Sequence, residues 1–294
     1  MTQAFALSGL RKSYAGFTLG PLDLAVDVGS VVGFVGPNGS GKTTTLRCLS
    51  GQIRPQEGRV EILGRPADAE AVDWRHDVAF VSDEPAFFEE WTGRRNLEFV
   101  GRYFDSWSSA RADELAERFA CPLEQKVKTL SKGNRVKLAL VMALSRDARL
   151  LLLDEPTAGL DPVVRSEVLD VLWELLESGQ HTIFYSTHNL SDIDRLADEL
   201  VFLRDGQIGE RAPKDSLMER WGQISFQLAG DVPTMAEVVQ ARNDGEQHQL
   251  VSRDVQATLA RLSDAGAHQV QHSPLPIDEI AVHILKGANH VAHR

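Results

Sequence analysis

Val31-Val-Gly-Phe-Val35-Gly36-Pro37-Asn38-Gly39-Ser40-Gly41-Lys42-Thr43-Thr44 is the stretch that decides the fold. Val31–Val35 is a continuous apolar run, the pattern of a strand buried on both faces. It runs straight into G-x-x-x-x-G-K-T, and a helix beginning near Lys42 is expected to follow. In that setting the glycines let the backbone curl until successive N–H groups face one point. The helix adds the positive end of its dipole to the same place, so an anion belongs there. Lys42 brings a point charge for the β- and γ-phosphates, and the Thr43 hydroxyl a ligand for Mg²⁺. Gly36, Pro37, Asn38, Gly39, Ser40, Gly41, Lys42, Thr43 and Thr44 are therefore expected to hold a nucleoside triphosphate.

Further along, the apolar run Leu150–Leu153 ends in Asp154-Glu155. Two acids at the carboxyl end of a buried strand stand where open α/β sheets bind ligands. Asp154 is suited to hold Mg²⁺ through water. Glu155 is suited to accept a proton from water attacking the γ-phosphate, because phosphoryl transfer needs positioning and charge neutralisation above all.

With both sites in place, the chain resembles the nucleotide-binding subunits of ABC transporters over about Phe5–Gly209, with the motifs in that family's order. Leu130-Ser131-Lys132-Gly133-Asn134 is similar to the family's signature motif. The resemblance implies that this loop offers Ser131 and Gly133 to the γ-phosphate of ATP held by the opposite subunit. Thr157-Ala-Gly159-Leu160-Asp161 resembles the loop through which the two sites of the dimer sense each other. His188 in Ser186-Thr-His-Asn189 resembles the switch histidine, and implies a hydrogen bond to the γ-phosphate. Tyr14 stands where the family stacks an aromatic ring on adenine. One phosphate loop per chain then implies a dimer, either a homodimer or a pair with a paralogous ATPase. Closure on ATP and reopening on hydrolysis would drive a substrate, by export, through separate multi-spanning membrane subunits. The resemblance is to the single-domain ATPases of bacterial exporters.

Three positions depart from the pattern. The family usually has a glutamine after the strand at Val78–Val81, and here Asp83 stands in its place. A shorter, anionic side chain meets the metal differently, which makes Asp83 a further candidate for Mg²⁺. In the signature loop Lys132 replaces a common glycine and Asn134 a common glutamine. Phe87, Phe88 and Trp91, in the segment Asp83–Phe104, stand where the family receives a coupling helix of the membrane subunit.

The remaining pattern fills in the architecture. Phe5–Leu10 and Leu22–Val28 are expected as strands around a Gly-Phe turn, Arg59–Leu63 as an extended piece closed by Gly64, and Val78–Val81 as a buried strand. From about 84 to 149 the texture turns helical, with Leu97, Val100 and Phe104 on one face and Leu115, Arg118 and Phe119 on another. Strand Leu150–Leu153, helix Val163–Glu177 and strand Thr182–Ser186 form a parallel crossover. Pro213 and the charged stretch Lys214–Arg220 mark a boundary. Beyond it, Asp244-Gly245 predicts a hairpin and Val255–Ala265 a helix stopped by Gly266. The fold class is α/β: a P-loop NTPase core of ABC type with an antiparallel β subdomain and a helical insertion. The expected domains are an ATP-binding domain at 1–213 and a small α+β accessory domain at 214–294.

Composition narrows the partners. A net charge of −11 in 294 residues argues against a protein that wraps nucleic acid. No apolar run approaches the roughly 18 residues of a spanning helix, and Met1–Leu10 lacks the basic start and apolar core of a leader. Membrane association is then expected through a partner, on the cytoplasmic face. Cys48 and Cys121 have no partner at ligand spacing, which fits a reducing compartment. A soluble ABC ATPase acting on nucleic acid or ribosomes is the alternative. The long coiled coil of the family's repair members and the tandem sites of its translation members are both missing. Six histidines fall in the last segment, at 248, 268, 272, 283, 290 and 293, without compact metal-ligand spacing.

Overall fold

The computed structural model describes residues 2–67, 73–188, 190–229, 232–245 and 247–287. The chain opens with two long strands, β1 (Gln3–Tyr14) and β2 (Phe17–Asp27), paired antiparallel from Tyr14↔Phe17 down to Gln3↔Asp27. Leu22, Leu24 and Val26 are buried while Asp23 is exposed, the period-2 alternation of a sheet covered on one face. β3 (Val31–Val35) is buried at every residue and leads through the glycine loop into α1 (Lys42–Leu49). β4 (Glu57–Ile62) and the short β5 (Arg65–Pro66) then return to the first hairpin, giving a four-stranded sheet in the order β2-β1-β4-β5.

β6 (Val78–Val81) precedes the helical region, whose helices are α2 (Gly93–Gly101), α3 (Ser109–Arg118) and α4 (Lys132–Leu144). Each starts at a hydroxyl cap: Thr92 accepts from the Arg95 amide, Ser108 from Arg111 and Ser131 from Asn134. Leu97, Leu115, Phe119, Val136 and Leu140 pack one shared core. The helical texture expected from residue 84 begins only at Gly93. Pro85 has no N–H to give a helix, and Asn96 ties the segment into a loop instead. Its amide donates to the Phe88 and Thr92 carbonyls while its Oδ1 accepts from the Phe88 amide. Phe104 lies beyond the end of α2, where Trp107 crosses Gly101 so closely that a Cβ there would sit 2.7 Å from the indole nitrogen.

β7 (Leu150–Asp154), α5 (Pro162–Leu176) and β8 (Thr182–Thr187) make the expected crossover; α6 (Leu190–Leu196), β9 (Glu199–Arg204) and β10 (Gln207–Pro213) follow. The central sheet has six strands in the order β10-β9-β3-β8-β7-β6, with β3, β8, β7 and β6 mutually parallel. Phe184 of β8 packs between Phe5 and Phe34, with ring centroids 5.0 and 4.9 Å away.

The chain divides into two compact units, Met1–Ala197 with Leu203–Gly209, and Asp198–Phe202 with Glu210–Arg294. The stretch Lys214–Arg220 is helix α7, inside the second unit. That unit continues through β11 (Gly222–Gln227), β12 (Val238–Asp244), β13 (Gln247–Ser252), α8 (Val255–Asp264), β14 (His268–Pro274) and α9 (Ile277–Lys286). Its antiparallel sheet runs β12-β13-β11-β14. The hairpin turns between Asp244 and Gln247, which pair, so Asp244 ends a strand and Gly245, at φ 62°, makes the turn. Among the described residues, no helix is long and apolar enough to cross a membrane.

Candidate active site

The loop between β3 and α1 is pinned from behind. A Cβ on Gly36 would lie 2.3 Å from the Leu203 carbonyl oxygen, and Gly41 sits at φ 110° with Leu19 2.5 Å from where its Cβ would be. At Gly36 a side chain would meet the backbone of the neighbouring strand, and at Gly41 the positive φ disfavours any other residue. Gly206 donates its amide to the Ser40 carbonyl at 3.2 Å, while Pro37, Asn38 and Gly39 are exposed at the mouth. No side chain caps α1, so its leading N–H groups are left to whatever occupies the loop. Lys42 is buried and donates to the Gly36 and Pro37 carbonyls at 2.7 and 3.3 Å. Burial lowers its pKa from the ordinary lysine value, and the charges of Glu155 and Asp154 oppose that shift.

Those two acids arrive on β7, in register with β8. Asp154 is fully buried opposite Ser186, whose hydroxyl donates to Oδ1 at 2.8 Å; Oδ2 is buried with no partner. Glu155 turns away from the strand at φ 50°, in the left-handed region a non-glycine residue rarely adopts, and its amide donates to the Ser186 carbonyl at 2.9 Å. Its Oε2 accepts from Thr187 Oγ1 at 3.2 Å and lies 2.9 Å from His188 Nδ1. The turn at Glu155 thus separates the two carboxylates, one sealed in the sheet and one bound to an exposed histidine. Sequence reading passed over Ser186 and Thr187, which hold these acids. Hydroxyls ending a buried strand that neighbours an acid-ended one were the available signal.

The two halves face one cavity of about 460 Å³, lined by Tyr14, Phe17, Asn38, Gly39, Gly41, Lys42, Thr43, Thr44, Asp83, Asp154 and Glu155. Tyr14 stands half exposed at its edge. Phe17, just across the hairpin turn, gives the cavity a second aromatic ring that the sequence reading did not single out. The arrangement offers N–H groups and a cation on one wall and carboxylates on the other, with aromatic faces at the rim. A polyanion carrying a flat base and a cation fits it.

The remaining motif residues do not line this cavity. Ser131 and Lys132 are exposed at the start of α4. Lys132 Nζ lies 2.7 Å from Asp83 Oδ1, and this bond raises the lysine pKa. A Cβ on Gly133 would be 2.7 Å from the Gly159 carbonyl oxygen, which brings the loops 131–134 and 157–161 together. Asp161 caps α5, accepting from the Val163 and Val164 amides at 3.1 Å. The start of its loop is tied down by buried groups absent from the sequence reading. Thr157 Oγ1 donates to Asp192 Oδ2 at 2.5 Å, Tyr185 donates to the same oxygen at 2.8 Å, and Arg165 Nε donates to Asp192 Oδ1 at 2.6 Å.

Among the described residues, no three His, Cys, Asp or Glu side chains gather as a metal site. His248 stacks on Phe226 at 5.2 Å and His283 on Trp221 at 6.1 Å. Asn189, His290 and His293 lie outside the described residues.

Residues 19–158 match the model of the family described as ABC transporter. The chain is 38% identical to the daunorubicin resistance ATP-binding protein DrrA3 of Streptomyces coeruleorubidus, across 74% of this chain and 71% of that protein. It is 31% identical to the Nod factor export ATP-binding protein I of Cupriavidus metallidurans, across 95% and 96% of the two chains. Among solved structures, an ATP binding subunit of an ABC transporter superposes with a TM-score of 0.66 at 27% identity, covering 74% of this chain and 92% of that one. The chain belongs to the ATP-binding subunits of ABC transporters.

Proposed function

We propose that this subunit binds and hydrolyses ATP in the cavity between the Lys42 loop and the Asp154-Glu155 pair, and thereby powers export. The observation that carries the reading is the split pair of carboxylates facing that loop. Lys42 and the free N–H groups of the loop up to Thr44 receive the phosphates, and Tyr14 and Phe17 the base. Glu155, bound to His188 and Thr187, takes the proton of the attacking water, and His188 lends its ring to the terminal phosphate.

A magnesium ion fits this donor set. Asp154 Oδ2 is a buried anionic oxygen with no partner, a costly arrangement unless a cation satisfies it. Thr43 and Asp83 line the same cavity and would offer it further oxygen ligands. Bound there, Mg²⁺ supplies neutralisation of the charge on the phosphate oxygens.

Ser131, Lys132, Gly133 and Asn134 serve the nucleotide of a second subunit, and Gly159, Leu160 and Asp161 carry the state of one site to the other. The simplest assembly is a homodimer, with a paralogous ATPase as the other arrangement. The motion passes to separate membrane-spanning subunits, placing the chain on the cytoplasmic face. Residues 1–213 serve as the ATP-binding domain and 214–294 as an accessory domain. In this reading the membrane subunit docks at a groove of about 240 Å³ lined by Phe80, Phe87, Val100, Phe104, Met142 and Arg146. Beside it Phe88 stacks on Trp91 at 4.3 Å, and Phe88 is half exposed. Both named relatives are ATP-binding proteins of resistance or export, which supports the outward direction.

The test is to purify the tagged chain from detergent-solubilised membranes and identify what accompanies it. A multi-spanning partner, with ATPase activity retained by the complex, is the expected result. Ribosomes or DNA-associated proteins in its place would overturn the reading.

A further inference from the structure

Two of the places where this sequence departs from the pattern of its family meet in space. Asp83, after β6, stands where a neutral glutamine is usual, and Lys132, at the start of α4, where a glycine is usual. Each departure introduces a charge, the charges are opposite, and Lys132 Nζ lies 2.7 Å from Asp83 Oδ1. The acidic groups acting on Lys132 besides Asp83 are Glu84 and Glu155, so the ammonium stands in a negative field at the edge of the nucleotide cavity. Asp83 is itself part of that cavity's lining. Ser131 and Gly133 flank Lys132 on the loop that the previous section assigns to the nucleotide of the second subunit.

We propose that Asp83 and Lys132 form an exchangeable latch between the two nucleotide sites. Within one chain the carboxylate holds the ammonium back. When the second subunit presents its ATP, Lys132 passes from Asp83 to the triphosphate, and the released carboxylate is free to turn to its own chain's cavity. The direction follows from charge. A triphosphate is a far stronger partner for an ammonium than a single carboxylate. The exchange is cheap to make, because Lys132 is 57% and Asp83 38% exposed, and such pairs hold weakly. Lys132 is thereby a positioning residue for Asp83 and a direct contact for the partner's phosphates. A glycine at this position could do neither.

This inference rests on the ATP-bridged dimer proposed above. Its test uses the full chain carrying Glu155→Gln, to hold ATP without turnover, and a carbodiimide, which joins a carboxylate and an amine in contact. Without nucleotide, peptide mass spectrometry should find an intrachain Asp83–Lys132 crosslink. Mg-ATP that drives dimerisation should suppress it several-fold, and Mg-ADP should not. In the same background Lys132→Met should raise the ATP concentration for half-dimerisation roughly two- to five-fold, and Lys132→Arg should restore it. A crosslink that never forms, or forms equally in the ATP-bound dimer, overturns the latch. So does a Lys132→Met chain that dimerises like its parent. If the Glu155→Gln chain itself stays monomeric with ATP by light scattering, the dimer reading has failed, and the two failures remain distinct.

Discussion

The Gly133 Cα approaches the Gly159 carbonyl so closely that an added methyl would lie 2.7 Å from the oxygen. The signature loop and the loop after the acid pair therefore touch inside one chain, backbone against backbone. Gly133→Ala should force the loop 157–161 to move, because a backbone oxygen has no rotamer by which to yield. We expect about 1–3 kcal/mol of lost stability in urea melts and loss of ATP-driven dimerisation, with nucleotide still bound by the monomer. An alanine variant that dimerises normally would show that the contact is incidental.

Glu155 and His188 act as one unit in the geometry, joined at Oε2 by a 2.9 Å contact. Glu155→Gln keeps the shape and removes the base, so turnover should fall by on the order of 10²–10⁴-fold while ATP binding persists. His188→Ala should lower turnover as well, and the double variant should be little worse than the worse single one. Additive losses in steady-state ATPase assays would separate the two roles.

Lys42 is a buried cation whose hydrogen bonds go to its own loop, at the Gly36 and Pro37 carbonyls. Lys42→Ala removes the charge that competes for phosphate. ATP affinity should drop by roughly 10- to 100-fold, from the loss of one charge-assisted contact. Fluorescent-nucleotide titration reads this directly, and an unchanged affinity would place the triphosphate elsewhere.

How far the sequence could be read depended on whether the signal was local. Val31–Val35, the glycine loop and Asp154-Glu155 sit on contiguous residues, and their buried runs declare the strands. Asp244-Gly245 announced its hairpin for the same reason, although the turn falls one residue later than the dipeptide suggests. Three features are made by residues far apart in the chain, and no window contains them. Ser186 reaches Asp154 only because β8 pairs with β7 in that register. Asp192 gathers Thr157, Arg165 and Tyr185 from three elements. Lys132 meets Asp83 across the helical region. The loop before α2 departs from the expected helical texture because Pro85 and the side chain of Asn96 decide its backbone.

Cys121 and Cys48 test the burial of unit one from another direction. Burial pushes the Cys121 thiol up to about 12 and the Cys48 thiol up to about 11. The reactive species is the thiolate, so both should be nearly inert to iodoacetamide at pH 8 in the folded chain. Labelling should become complete only in denaturant. Rapid modification of either cysteine in the native chain would contradict the packing around α1 or α3.

Asp192 is the buried group with the most at stake. Its carboxylate is almost wholly enclosed, yet it accepts from Thr157, Tyr185 and Arg165 and so lacks no partner. Asp192→Ala removes the acceptor all three share, leaving Thr157 and Tyr185 only their 3.2 Å contact with each other and Arg165 its bond to Ser191. Arg165, about a quarter exposed, can turn partly to water, but Thr157 and Tyr185 are buried and cannot. The cost should be about 3 kcal/mol, the lower end for breaking a buried ion pair, measured as a shift in the urea midpoint at unchanged slope. Thr157 opens the loop that carries Gly159 and Asp161, so the same change should also weaken ATP-driven dimerisation more than it weakens ATP binding. Asp192→Asn keeps one acceptor and should recover part of the stability. If Asp192→Ala proves as stable as the parent, the network does not hold the loop, and the restraint on residues 157–161 must come from its other contacts, the Asp161 cap and the approach of Gly133 among them.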